Sequence, residues 1–576
     1  MVAVIPHNEI VLDMDKVKIT RLKTDVLIVG GGAAGCFAAS ELKVNAPNCD
    51  CIVMEKAHID RSGCLAMGIN AINAYLNPGE TPDSFVAYIK NEFMGVVRED
   101  LLYSIAEGLN SVVHEVEGWG LPIEKDRNGY YKMRGKRSIR IHGERLKPIL
   151  AERAKRSGAK ILNRVVATNF IFDGERVSGA YGFGIRDMTF YVIEAKAVLV
   201  ATGGASRIYK PNNEGSARNL MWYSPWNVGT GYAMGTRIGA EMTCFENRFV
   251  ALRVKDVNAP TGTLALGVGA KQINAIGESY LSERYECFGG RKCVTPYRLY
   301  ATILEDKAGR GPCYLDISHL GDRERRKLKE DFLSMNPSIV LLWADEGLDK
   351  KLSCVEICGT EPFIEGGHSE AGYWVDVDRR TTIKGLYAAG DITGGSPKKY
   401  ASGAWVEARI SVKTIIADIR SNGKIRAVDE SDIQNELQRI TAPFYNHNQN
   451  SVTAREMEER LQKVMDEYAG GISTNYELND KRLRLARDLL NELLGHLEFL
   501  RADNSYELVG CLEIIDRIEV AQVLVEHLFH RRETRWPCYQ TRIDFPDRDD
   551  RFWLKYVNSI RDTSSGKIKI IKRDLQ

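Results

Sequence analysis

The order of apolar and polar positions predicts where the chain forms buried strands. Residues 26–29 are uniformly apolar, residues 51–54 form a second short apolar run, and residues 197–201 form a third. Central strands of a parallel sheet are covered on both faces and have such continuous apolar runs. The pattern therefore predicts a parallel sheet whose strands come from distant parts of the chain.

Other strands complete this predicted arrangement. Residues 160–162 and 165–168 are expected to pair antiparallel with residues 179–185 and 189–194, and a last strand at residues 381–391 returns to the sheet. The chain between about 245 and 375 is then an insertion, long enough to fold as a separate lid.

Helical spacing dominates residues 81–118 and the chain beyond about residue 430. In the second region a capping box at residues 453–456 precedes three charged, leucine-rich segments, which predict a three-helix bundle. Residues 531–550 are too irregular to be a helix. The three apolar stripes are Met457, Leu461, Val464 and Tyr468; Leu483, Ala486, Leu490, Leu494 and Leu497; and Leu508, Leu512, Ile515 and Ile518.

Composition narrows the class of protein. The 576 residues are 44% hydrophobic and 27% charged, with a formal net charge of +2, so neither nucleic acid nor a membrane is an expected partner. The sequence has no apolar segment long enough to span a bilayer and no secretory leader, which predicts a cytoplasmic protein. Its 12 cysteines include no CxxC pair, so we expect no metal and no iron–sulfur cluster in the chain itself.

A glycine-rich turn follows the first apolar run. Gly30, Gly32 and Gly35 have the spacing of the dinucleotide-binding fingerprint, in which they permit a tight turn, the approach of a pyrophosphate and close helix packing. Glu55 ends the second strand, where the fold expects an acid for a ribose hydroxyl. The combination predicts a dinucleotide site, and a glycine-rich turn without a ligand is the alternative.

The segment after the second strand favours FAD over a nicotinamide cofactor. Residues 60–73 form a loop of small and amide residues where nicotinamide-binding folds usually continue with a helix and a strand. Asn73 is predicted to contact substrate or flavin, and the alternative is that it caps a local turn. The residues predicted to hold FAD are Gly30, Gly32, Ala33, Ala34, Gly35, Glu55, Lys56, Ser62, Gly63, Ala201, Thr202, Gly203, Asp391 and Ser402.

These elements predict an α/β fold: a Rossmann-like FAD-binding domain with an inserted α+β capping domain and a C-terminal helical bundle domain. The predicted boundaries are 1–244 and 376–430 for the two parts of the FAD-binding domain, 245–375 for the capping and substrate domain, and 431–576 for the helical domain and tail.

Motifs spread over nearly the full length carry a family resemblance. They are KPNNEG at residues 210–215, MWYSPWNVG at 221–229, GAEMTCFENRF at 239–249, GGSPKKYASG at 394–403 and ETRWP at 533–537. By these motifs the chain resembles the flavoprotein subunits of the fumarate reductase and succinate dehydrogenase superfamily. Within it, the chain is most similar to the family of adenylylsulfate reductase alpha subunits.

At two positions the chain differs from the members of this superfamily that act on dicarboxylates. Gly63 stands where many of those enzymes have a histidine bonded to FAD, and their His-Pro-Thr motif is missing after Met242. FAD is therefore expected to be non-covalent. The resemblance implies reductive cleavage of adenosine 5′-phosphosulfate to AMP and sulfite through a flavin N5–sulfite adduct. It also implies a heterodimer in which a ferredoxin-like iron–sulfur beta subunit supplies the electrons.

The resemblance also assigns substrate residues. Arg253 and His368 match the substrate arginine and histidine of the family, and a guanidinium can grip sulfate or phosphate through two hydrogen bonds. For Arg253 the alternative is a surface ion pair, and for His368 a structural histidine. Asn73, Glu144, Trp222 and Leu266 match substrate-pocket positions, although Trp222 could equally belong to the core.

Two other functions stay open at this stage. One is a fumarate reductase-like enzyme acting on a small dicarboxylate, and the other is a flavin subunit that relays electrons without catalysis. The His368-Ser-Glu370 sequence is similar to a zinc-deaminase motif, but no PCxxC follows it, so no metal site is expected. The sequence leaves the roles of Lys398 and Lys399, the direction of the reaction and the number of subunits undecided.

Overall fold

The computed structural model describes residues 17–74, 77–134, 138–213, 215, 220–257, 267–335, 354–422, 427–446 and 448–575. The strands in chain order are β1 (Ile19–Val29), β2 (Cys51–Glu55), β3 (Ala71–Asn73), β4 (Met133–Arg134), β5 (Ser138–Arg140), β6 (Lys160–Asn163), β7 (Val165–Phe172), β8 (Val177–Gly184), β9 (Phe190–Val200), β10 (Met242–Thr243), β11 (Leu252–Val254), β12 (Lys271–Ile273), β13 (Cys313–Asp316), β14 (Cys354–Gly359), β15 (Gly372–Tyr373), β16 (Leu386–Ala388), β17 (Val452–Thr453), β18 (Glu477–Leu478), β19 (Leu500–Arg501), β20 (Thr541–Arg542), β21 (Lys555–Arg561) and β22 (Ile568–Asp574).

The α-helices in chain order are α1 (Ala33–Asn45), α2 (Pro82–Glu92), α3 (Glu99–Gly118), α4 (Leu146–Arg156), α5 (Thr230–Arg237), α6 (Tyr280–Glu283), α7 (Thr295–Lys307), α8 (Asp322–Met335), α9 (Tyr400–Asn422), α10 (Glu430–Thr441), α11 (Ala454–Tyr468), α12 (Asp480–Gly495), α13 (Ser505–His530) and α14 (Asp550–Trp553).

The main sheet joins distant segments, as the apolar runs predict. Among the described residues it runs β6–β2–β1–β9–β8–β7, with β16 also paired to β9. Strand β1 lies parallel to β2 and β9, and β16 lies parallel to the end of β9. The α/β class and the long-range return of the chain are therefore confirmed.

Two details of the predicted sheet are wrong. Residues 160–162 lie in β6, which pairs parallel to β2 rather than antiparallel to a later strand. Helix α4 immediately precedes β6 and brings the chain back so that β6 enters parallel. Residues 189–194 and 197–201 were expected as separate strands, but β9 is continuous from Phe190 to Val200.

The lid contains a second, antiparallel sheet in the order β11–β14–β13–β12. These strands lie within residues 252–359, inside the range predicted for the insertion. The lid helices α6 and α7 lie between β12 and β13 in the chain.

The C-terminal region contains the predicted bundle of α11, α12 and α13. The side chains of Thr453 and Glu456 form the expected reciprocal capping box at the start of α11. The sequence-based prediction missed the hairpin of β21 and β22, which joins β10 and β15 in a four-stranded sheet. Because β10 has two residues and β15 has two, the sheet that this hairpin completes has little signal in the sequence.

Candidate active site

A cavity of about 790 Å³ lies at the carboxyl ends of β1, β2 and β9. Open α/β sheets bind ligands at this edge, and the volume is within the range of about 300–1,000 Å³ that ligand pockets occupy. Lid residues, among them Gln272, Leu281 and Arg298, line the cavity opposite the sheet. The cavity therefore lies between the main sheet and the inserted lid.

The glycine turn after β1 forms one wall of the cavity. A Cβ at Gly30 would lie 2.5 Å from the Ala201 carbonyl oxygen, and a Cβ at Gly35 would lie 1.9 Å from the Gly30 carbonyl oxygen. Gly32 is the N-cap of α1 and has no side-chain capping bond. In the described part of the chain, no heavy atom other than those of Gly32 and its chain neighbours lies within 4 Å of the position its Cβ would take. The amino end of α1 thus adjoins open space, where its unpaired N–H groups favour an anion such as a pyrophosphate.

Glu55 and Lys56 extend this wall from the end of β2. The Glu55 carboxylate accepts hydrogen bonds from the N–H groups of Gly31 and Ala57, each 2.7 Å long. Lys56 Nζ donates to the Trp226 carbonyl and pairs with Glu513, at 2.6 Å in each case. Both side chains border the cavity, Glu55 as an acceptor and Lys56 as a cation already paired with a glutamate.

The end of β9 and the returning strand β16 supply other residues that were predicted to hold the cofactor. Ala201, Thr202 and Gly203 line the cavity, and Thr202 Oγ1 is buried with no hydrogen-bond partner in the described part of the chain. Asp391 follows β16, also lines the cavity and accepts a 2.8 Å hydrogen bond from Tyr223 Oη. Burial and the neighbouring negative charge of Glu365 raise the pKa of Asp391 to about 6.

His368 and Trp222 are the predicted substrate residues that reach the cavity. The two rings meet edge to face with centroids 4.6 Å apart, and Phe249 and Tyr400 lie 4.9 and 4.5 Å from the imidazole. His368 Nδ1 and Trp222 Nε1 are buried without hydrogen-bond partners among the described residues. Buried polar atoms are normally paired, so Trp222 Nε1 is suited to a bound ligand.

Cationic lid residues also line the cavity, and the sequence-based prediction missed them. Lys271, Arg291 and Arg298 border it, and Arg298 Nη2 donates to the Cys293 carbonyl at 3.1 Å while its buried Nε has no partner in the described ranges. Their basic character was visible in the sequence, but only the folded lid shows that they face the same cavity as Gly30.

The adjacent lysines left open by the sequence have different surroundings. Lys398 lines the cavity, donates to Tyr88 Oη at 3.0 Å and forms an ion pair with Glu92. Lys399 is fully buried and pairs with Glu407 at 3.2 Å. Lys398 therefore belongs to the cavity wall, and Lys399 to the core beneath it.

Several predicted residues do not line the cavity. Arg253 is fully buried, donates to the carbonyls of Leu220 and Val257 at 2.8 and 2.7 Å, and contacts Asn213. Its strand neighbour Leu252 faces the cavity instead, as the alternation of side chains in a strand requires.

The other predicted residues that do not line the cavity either have hydrogen-bond partners within the protein or lie away from the cavity. The Asn73 amide donates to the Lys398 carbonyl at 2.7 Å and accepts from Ser138 Oγ at 3.0 Å. Ser62 donates to the Gly31 carbonyl, Ser402 Oγ is buried behind the cavity wall, and Glu144 is exposed on a short 3₁₀ turn. Leu266 lies outside the described residues.

These residues fit FAD. The uncapped amino end of α1, the acid at Glu55, the unpaired Thr202 hydroxyl and Gly63, which has no side chain, surround one continuous cavity.

Within the described ranges no group of three or more His, Cys, Asp or Glu residues is placed to hold a metal ion. In the same ranges no helix has the length and apolar character needed to cross a membrane.

Comparison with known proteins agrees with this geometry. Residues 25–404 match the family described as FAD binding domain, and residues 458–576 match the fumarate reductase flavoprotein C-terminal family. The fold and the site thus define an FAD-dependent flavoprotein oxidoreductase. The chain is 31% identical to the adenylylsulfate reductase subunit alpha of Megalodesulfovibrio gigas, over 95% of each chain. It belongs to the family of adenylylsulfate reductase alpha subunits.

Solved structures show the same relationship. The adenylylsulfate reductase of Archaeoglobus fulgidus has a TM-score of 0.93 and 35% identity, covering 100% of this chain and 99% of that one. An adenosine-5-phosphosulfate reductase in complex with sulfite, described as a covalent adduct, has a TM-score of 0.93 and 34% identity, with the same coverage. An E. coli quinol fumarate reductase, at 19% identity and a TM-score of 0.81, shares the fold over 96% of this chain and 97% of that one.

Proposed function

We propose that the protein reductively cleaves adenosine 5′-phosphosulfate to AMP and sulfite, with FAD bound non-covalently and electrons from an iron–sulfur partner subunit. The bond between sulfur and the bridging phosphate oxygen breaks, sulfur gains two electrons, and AMP leaves with that oxygen. Reduced FAD supplies the two electrons. The observation that carries the proposal is that His368 and the lid arginines border the same cavity as the FAD-binding turn.

The reaction explains why these side chains are basic. Both the sulfonyl group and the phosphate of the substrate carry negative charge, and charge increases on both as the bond breaks. Preorganised cations in a site that excludes water are effective at stabilising such charge. Arg298 and Arg291 are suited to the phosphate because guanidinium forms paired hydrogen bonds with its oxygens. His368, among Trp222, Phe249 and Tyr400, is suited to the sulfonyl group.

In this proposal Arg253 supports the cavity wall and does not contact the substrate directly. Its guanidinium holds the carbonyls of Leu220 and Val257, and Leu220 lies two residues before Trp222, which borders the cavity. It would therefore support the substrate wall beside Leu252, while the direct grip expected from the family resemblance is the alternative.

Two other functions can be separated by experiment. A fumarate reductase-like enzyme would reduce a dicarboxylate, and a relay subunit would reduce neither compound. The purified protein, loaded with FAD and reduced with a viologen dye, should be reoxidised by adenosine 5′-phosphosulfate with one AMP and one sulfite formed per two electrons. Reoxidation by fumarate alone would overturn the proposal, and no reoxidation by either compound would favour a relay.

A further inference from the structure

Glu365 has a buried carboxylate directly before the candidate substrate histidine. It is fully buried, and its Oε2 accepts hydrogen bonds from the N–H groups of Gly367 at 2.6 Å and His368 at 2.9 Å. Its Oε1 also accepts from the His368 N–H at 3.1 Å. Glu365 therefore holds the backbone turn that presents His368.

The facing side chain of this carboxylate is the imidazole itself. Among the described residues no Lys or Arg nitrogen forms an ion pair with Glu365, and His368 Nδ1 lies 3.7 Å from its Oε2. Two other buried glutamates have fixed cations: Glu407 pairs with Lys399 and Arg379, and Glu246 with Arg531. Because a buried carboxylate is costly without a partner, the facing edge of His368 is the side-chain group placed to serve Glu365.

The orientation of the histidine agrees with this pairing. Nδ1 is buried and has no hydrogen-bond partner within the described ranges, while 27% of the side chain remains exposed and the residue lines the cavity. The edge with Nδ1 thus faces the carboxylate, and the rest of the ring faces the cavity. A small closure of the 3.7 Å gap would convert the contact into a hydrogen bond.

We propose that Glu365 is a positioning residue, which holds the turn before His368 and the facing edge of its ring, so that the opposite edge is presented to an anionic substrate. This inference rests on the proposed function in that the substrate is an anion.

The other titratable groups around the pair of Glu365 and His368 are neutral or already have partners. The titratable side chains acting on Glu365 or on His368 are Asp391, Cys64, Tyr223, Tyr232, Tyr400 and Tyr539. Burial raises the pKa values of Cys64, Tyr223, Tyr232 and Tyr539, so these groups are neutral near pH 7. Asp391 is already hydrogen-bonded to Tyr223, and Lys399 acts on Asp391.

The test is Glu365→Gln, which keeps an acceptor for the turn and removes the negative charge. Sulfite serves as the probe anion, and bleaching of the bound flavin reports its binding. We expect the affinity for sulfite to fall about tenfold, which corresponds to about 1.4 kcal/mol. An unchanged affinity would overturn the proposal.

Glu370→Gln is the matched control. Glu370 is fully buried in the same turn, but its carboxylate accepts from Asn247 Nδ2 at 3.4 Å. Burial and the charge of Glu246 raise its pKa well above the usual range, so a neutral amide resembles its ordinary form. This variant should bind sulfite with the wild-type affinity.

A measurement on the wild-type protein keeps the inference testable if Glu365→Gln does not fold. Nitrogen-15 NMR of labelled histidines, with the His368 signals identified by their loss in His368→Gln, should show the proton on Nδ1. A proton solely on Nε2 would overturn the inference. Wild-type flavin that sulfite does not bleach would instead contradict the proposed function, and the NMR result would stand separately.

Discussion

Lys56 Nζ lies 2.6 Å from Glu513 Oε1, so a helix of the C-terminal bundle contacts the wall of the cofactor cavity. Glu513 is in turn 3.4 Å from Arg517, and Arg517 is 3.6 Å from Glu458 on α11. Burial alone would raise the pKa of Glu513, but Lys56 and Arg517 lower it overall. A row of alternating charges therefore connects the bundle to the FAD site.

Replacing Glu513 should weaken FAD binding. Glu513→Gln leaves Lys56 with the Trp226 carbonyl and no anion, so Lys56 is less firmly held beside Glu55. We expect the Kd for FAD to rise about tenfold, equivalent to about 1.4 kcal/mol, measured by the fluorescence of FAD released on dilution. Glu526→Gln is the control, because Glu526 is on the same helix but pairs with Arg487 at 2.6 Å. If the two variants bind FAD with equal affinity, the contact between the bundle and the cavity wall does not contribute to cofactor binding.

FAD should separate from the denatured protein. Gly63 has no side chain to bond to the cofactor, and burial raises the pKa of the adjacent Cys64 thiol, which keeps it protonated and weakly nucleophilic. Acid precipitation should therefore leave the yellow colour in the supernatant. Colour that stays with the pellet in the wild-type protein but not in Cys64→Ser would identify that thiol as a covalent attachment point.

Arg253 and Arg298 should respond differently to replacement by alanine. Arg253→Ala leaves two carbonyls and the Asn213 amide without their donor, and should lower the free energy of unfolding by about 3 kcal/mol. Arg298→Ala should keep the melting temperature and raise KM for adenosine 5′-phosphosulfate about tenfold or more.

Thermal unfolding and steady-state kinetics on the same preparations separate the two roles of Arg253. A rate loss of about two orders of magnitude in Arg253→Ala at an unchanged melting temperature would support direct contact with the transferring group. Unchanged kinetics in Arg298→Ala would exclude it from the anion site.

Asp391 should make the stability of the apoprotein depend on pH. Its folded-state pKa of about 6 lies above the ordinary aspartate value of about 3.9, so between these values the folded protein binds more protons than the unfolded chain. Stability from this group is consequently present at low pH and is lost as pH rises to about 6. Two pKa units correspond to about 3 kcal/mol.

Asp391→Asn removes this penalty. The variant apoprotein should gain melting temperature relative to the wild type at pH 8, and the gain should shrink towards pH 5. Differential scanning calorimetry at several pH values measures both. A difference that stays constant with pH would show that Asp391 does not titrate in this range.

The fold and the glycine turn that borders the cavity could largely be predicted from the sequence, because they depend on local patterns. The apolar runs gave β1 and β2, and the spacing of Gly30, Gly32 and Gly35 reflects contacts that a Cβ would prevent. The substrate side was harder, since it depends on which way lid side chains face. Arg253 and Leu252 are neighbours on β11, and only the register of that strand decides which of them borders the cavity.

The central sheet also determines when the cofactor can bind during synthesis. Strands β1, β9 and β16 lie side by side although they begin at residues 19, 190 and 386, and Lys56 meets its partner at residue 513. A chain leaving the ribosome from its amino end therefore has the glycine turn long before it has Asp391 or Glu513. Translation that stops before these residues would yield protein without the complete cavity wall, so we expect the flavin to be loaded after synthesis of most of the chain.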